Sequence, residues 1–99
     1  MDKRTILEAI LTAQHEAEKM LKKAEITKAC CEAETDETQA QVMYAENVYM
    51  INNSLEACMA LDKAYAVHDK ACDDYYNACE DVKELEAIIQ LMDRASYYC

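Results

Sequence analysis

Glycine, proline, phenylalanine and tryptophan are all missing from this 99-residue chain. Average usage would supply about seven glycines and about five prolines. Glycine serves the positive-φ positions of tight turns and helix C-caps, and proline sets turn geometry. A β-rich or mixed fold can hardly dispense with both. A few long helices with very short connections can. Also lacking is any run of the roughly 20 apolar residues needed to span a bilayer. The opening Met1-Asp2-Lys3-Arg4 is charged, but Glu8 interrupts the stretch behind it, so it does not read as a secretory apolar core. The expectation is a cytoplasmic, reducing setting, in which six cysteines need not pair.

Positive charge is scarce as well. Ten Lys and Arg stand against twenty Asp and Glu, a formal charge of −10. Residues 1–33 hold six of each sign, so residues 34–99 carry the whole excess. Such a chain repels nucleic acid and anionic membranes, and neither is expected as a partner. The length suits one domain with one core, residues 1–99.

What remains is rich in strong helix formers, spaced as a helix face requires. The clearest seam is Leu55, Cys58, Leu61, Tyr65, His68, Cys72, Tyr75, Cys79, Val82, Ile89 and Met92. Four Ala-Cys pairs, at 29–30, 57–58, 71–72 and 78–79, share a seven-residue grid. A second stripe runs through Ile6, Ile10, Ala13, Ala17, Met20, Ala24, Thr27 and Cys31, widened by Leu7 and Leu21. Asp36 and Gln39 have capping-box spacing inside the polar run 34–39, which marks a helix start. Asn52-Asn53-Ser54 is a weaker break, read as a solvated patch on a continuing helix. A turn near 67–71 divides the rest. The pattern therefore predicts an all-α, antiparallel three-helix bundle with helices at about 3–33, 37–67 and 70–96. The alternatives are four helices with a break at 52–54, or a helical hairpin in which 37–96 is one long helix that dimerises. Met43, Tyr49 and Met50 make the middle segment apolar over a wide arc and suit a homodimer or helical-partner contact.

Sites of chemistry are few. His68 and Cys72, four residues apart on one helix face, are the metal-ligand candidates, and also a formal nucleophile–base pair. Neither His15 nor His68 follows a Glu by three residues, as a carboxylate di-metal bundle requires. Antiparallel packing about residue 69 would place Cys58 and Cys79 in one layer, as core neighbours or a disulfide. Cys30 and Cys99 are candidate exposed thiols. There is no phosphate loop, no Gly-x-Ser-x-Gly elbow and no His-Glu-x-x-His. No cofactor and no enzymatic activity are expected. The compositional gaps and the near-equal division into three segments resemble an artificial, de novo designed helical bundle. That resemblance implies a structural protein without a natural function. The other readings are a natural protein–protein interaction or dimerisation module, and a cysteine-centred metal or redox site.

Overall fold

The computed structural model describes residues 2–98. It contains two α-helices, α1 (Lys3–Ile51) and α2 (Leu55–Tyr97), joined as a helical hairpin. The all-α expectation holds, but the three-helix bundle does not. The polar run 34–39 and the stretch 67–71 are both helical, and the chain reverses at Asn52-Asn53-Ser54 instead. The four-helix alternative had its break at 52–54 in the right place, but α1 runs unbroken through 34–39 and α2 runs unbroken from Leu55 to Tyr97, so only two helices form among the described residues. The hairpin alternative placed its turn too early, because its long helix began at 37.

The turn explains how the chain reverses without glycine. The Asn52 N–H still donates to the Val48 carbonyl (2.8 Å), closing the last turn of α1. The Ser54 N–H then donates to the Asn52 carbonyl (2.8 Å), a γ-turn around Asn53. No described residue has positive φ, so this is the inverse form, open to any L-residue. Ser54 caps α2: its Oγ accepts from the Ala57 N–H (3.1 Å), and its carbonyl accepts from the Cys58 N–H (3.0 Å). At the other end, Asp2 Oδ1 accepts from the Thr5 N–H (2.8 Å) and caps α1. That bond holds the Asp2 carboxyl below its ordinary range.

Along α2 the least exposed positions are Ala57, Leu61, Ala64, His68, Ala71, Tyr75, Ala78, Val82, Leu85, Ile89 and Met92, at alternating steps of four and three. Along α1 the same spacing selects Leu7, Ile10, Gln14, Ala17, Leu21 and Ala24, and further on Thr35, Thr38, Val42, Ala45 and Tyr49. The alanine of each Ala-Cys pair on α2 is buried, while the cysteine beside it lies toward the edge. Two helices share only a narrow strip, so the rest of each wide apolar arc stays in water. Among the described residues, no side chain is completely buried.

The chain forms two compact units. One is Met1–Thr27 with Ala78–Cys99, and the other is Lys28–Asn77. In the first, Gln14 Nε2 donates to Asp93 Oδ1 across the helices, and Ala17, Ala78 and Val82 are buried. In the second, Thr35, Thr38, Val42 and Ala45 of α1 face Ala57, His68 and Ala71 of α2. The Thr35 hydroxyl reaches the Ala71 carbonyl oxygen at 3.3 Å while also bonding the Cys31 carbonyl of its own helix (2.9 Å). A side chain as short as threonine touches the opposite backbone only where the facing residue is small.

Enlarging that residue tests the close approach. Ala71→Leu is expected to lower stability by about 1–3 kcal/mol through overpacking, whereas Cys72→Leu, one residue away on an exposed position, should stay within about 0.5 kcal/mol of the parent. Thermal melts followed by circular dichroism distinguish the two.

Candidate functional site

Two features of the hairpin have the makings of a site. The first is a chain of hydrogen bonds in the Lys28–Asn77 unit. Thr38 is the buried polar residue of the described chain, 4% exposed. Its hydroxyl lies 3.0 Å from the Thr35 carbonyl and 2.8 Å from His68 Nδ1. A hydroxyl has one proton. Both contacts are satisfied together when Thr38 donates to the carbonyl and accepts from His68 Nδ1–H. In neutral His68, Nε2 is then the unprotonated nitrogen, and Cys72 Sγ sits 3.5 Å from it as donor. So α1 orients the imidazole and α2 supplies the thiol one turn on.

This arrangement brings the expected pair His68 and Cys72 together and adds Thr38, which the sequence reading did not single out. Among the described residues, no third His, Cys, Asp or Glu joins them as a metal site. The two hollows described below are lined by residues of the other unit. One helical turn away, the Tyr65 hydroxyl donates to Glu46 Oε1 (3.1 Å). The accepting carboxylate pushes the phenol above its usual range, helped by desolvation and by the negative charges of Glu46 and Asp62.

The other cysteines are placed differently from the bundle register. Cys58 and Cys79 both lie on α2, about six turns apart at 3.6 residues per turn, so they share no layer. The expected juxtaposition fails because residues 67–71 continue the helix instead of reversing it. Both are half-buried, with free thiols. Cys30 is exposed with a free thiol, and Cys99 lies outside the described residues. Met43 and Met50 are exposed, and Tyr49 is half-buried on the inner side of α1.

The second feature is an apolar groove in the unit formed by the first part of α1 and the last part of α2. One hollow, about 490 Å³, runs between Ile6, Ile10 and Ala13 on α1 and Ile88, Leu91 and Ala95 on α2. A second, about 480 Å³, adjoins it through Ile88 and is lined by Met20, Ala24 and Leu85, with Lys23 on one side and Asp81 and Glu84 on the other. Leu91 and Met20 are 63% and 57% exposed, so the groove is open to water. Its α1 wall belongs to the stripe that the sequence assigned to a bundle interior. The signal was in the chain, but it mixed two faces: Ile10, Ala17 and Ala24 are buried or half-buried, while Ile6, Ala13 and Met20 stay exposed. Among the described residues, no helix is long and apolar enough to cross a membrane.

Two measurements test the polar chain. Thr38→Val removes the acceptor for His68 and leaves a half-buried N–H unbonded, with an expected loss of about 1–2 kcal/mol in urea unfolding. The neutral Tyr65 phenol is the bonded form, so its contribution is in place below pH 10 and fades as pH rises through the elevated folded-state value. Absorbance at 295 nm should show a late-ionising tyrosine that disappears in Tyr65→Phe. Against known proteins, no family model, no curated protein and no solved structure matches this chain.

Proposed function

We propose that the chain is an antiparallel coiled-coil hairpin without catalytic activity, whose role is to associate with other helices through its apolar groove. The coiled-coil reading is supported by the unbroken three-four alternation of inward positions on α2 and by the antiparallel pairing of Thr35 with Ala71 and Thr38 with His68. The observation that carries the association reading is the groove itself. Ile6, Met20, Ile88 and Leu91 stay exposed around it, at a place where both helices contribute small alanines between large side chains. Contiguous exposed apolar surface of this kind marks contact sites. A helix laid into it would meet both α1 and α2, which is the helix-in-groove mode of recognition.

Binding is tested with the intact chain and with the double variant Met20→Glu/Leu91→Glu, two exposed positions where a charge leaves the inner seam alone. Light scattering across concentration reports self-association. Fluorescence anisotropy with a labelled amphipathic Leu/Lys helix reports capture of another helix. Association in at least one assay, weakened tenfold or more by the double variant, is the expected result. A wild-type chain that stays monomeric and ignores the peptide overturns the reading.

A further inference from the structure

We infer that the occupant of the groove is a second copy of this chain, stacked face to face so that α1 of each copy lies over α2 of the other. The inference rests on the association reading above and names its partner.

Charge is the first argument. The unit containing the groove holds seven Lys and Arg and ten Asp and Glu, while residues 28–77 hold three and ten. Copies that meet through the first unit join the part of the chain with the least self-repulsion. The rim of the groove is also two-signed. Lys23 stands on the α1 side of the second hollow, with Asp81 and Glu84 on the α2 side. Among the described residues, none of these three forms an ion pair within the chain, although they line the same hollow. A lysine on one helix and two carboxylates on the other are the pairing that a self-complementary, two-fold contact can use.

Register supplies the second argument. The Gln14–Asp93 bond sets which residues of α1 and α2 share a level in this unit. Counting outward from it, Lys23 is level with Glu84, and Met20 lies within one residue, about 1.5 Å, of the level of Ile88. A two-fold axis parallel to the helices keeps every residue at its own level and exchanges the two helices. It sets Lys23 over the copy's Glu84, with Asp81 one turn along, and Met20 beside Ile88. All neighbouring helices remain antiparallel. The other face-to-face option, an axis across the helices at Ala13, stacks α1 on α1 and brings Lys23 toward Lys3 and Arg4. Like charges repel at that level, which favours the first arrangement.

The test pairs a mass measurement with charge reversal and cross-linking. Wild type should reach twice the chain mass at rising concentration. Lys23→Glu should weaken the dimer tenfold or more, and Lys23→Glu/Glu84→Lys should restore most of that loss, because reversing both rims recreates the pair. In a background with all cysteines changed to alanine, mixing Lys23→Cys with Glu84→Cys proteins under mild oxidation should give mainly the mixed disulfide. A dominant Lys23→Cys homodisulfide, or a double reversal no tighter than Lys23→Glu, overturns the arrangement. A chain that is monomeric throughout yet captures the Leu/Lys peptide overturns the second-copy inference while leaving the association reading standing. A chain that does neither ends both. The charge-reversal series uses the native cysteines, so it decides the matter even if the alanine background fails to fold.

Discussion

The close approach of the two helices along small side chains is the constraint on which the rest of the structure depends. Ala57, Ala71 and Ala78 on α2, and Ala17 and Ala45 on α1, are the residues that the fold buries, with two valines and one threonine. An alanine removes little apolar surface from water, at about 25 cal/mol per Å². What it provides is proximity. The Thr35 hydroxyl bonds the Ala71 carbonyl across the pair because nothing larger stands between them. Thr38 and His68 bond at the same interface. A seam built this way gains directional hydrogen bonds and gives up the bulk of a conventional core.

That exchange accounts for the surface. The chain has enough leucine, isoleucine, methionine and tyrosine for a larger core, but two helices offer each other only one strip. Large residues flanking the strip are left outside it. In the first unit they converge on both sides of a groove. In the second, Met43, Tyr44, Met50, Ile51, Leu55, Met59, Val67 and Tyr76 are exposed as well. The converging set around the groove is the surface on which the association proposal rests.

Much of this was legible from composition and spacing. Missing glycine and proline pointed to long helices, and the helices are long. The seven-residue grid of Ala-Cys pairs pointed to the buried side of α2 within one residue. The error was to centre the seam on the cysteines. A wide bundle interior would bury both members of each pair, but a two-helix strip selects the smaller. The polar run 34–39 misled more seriously. Asp36 and Gln39 look like a helix start, because aspartate favours caps when its side chain faces water. Here Thr35 and Thr38 face α2 and their hydroxyls bond back to helix carbonyls, so the backbone runs on. No local signal distinguishes these cases, since the difference lies in a partner thirty residues away. Asn52-Asn53-Ser54 was visible as a weak point, and its strength as a turn came from the Ser54 cap and from a γ-turn that asks for no special residue.

That tight, glycine-free reversal also sets an order of assembly. Contacts beside it close short loops: Thr38 and His68 are 30 residues apart, while Gln14 and Asp93 are 79 apart. Closing the longer loop directly costs about 0.9 kcal/mol more in chain entropy. Pairing that begins at the turn and zips outward avoids most of that cost, so the hairpin is set to fold from its bend toward its ends. The apolar groove is then the last part to form and the first to open. A helix that docks there would find its site completed only when folding finishes, and by docking it would clamp the ends of the zipper. Folding and association would become one equilibrium, and the hairpin's melting temperature would depend on how much of its partner is present.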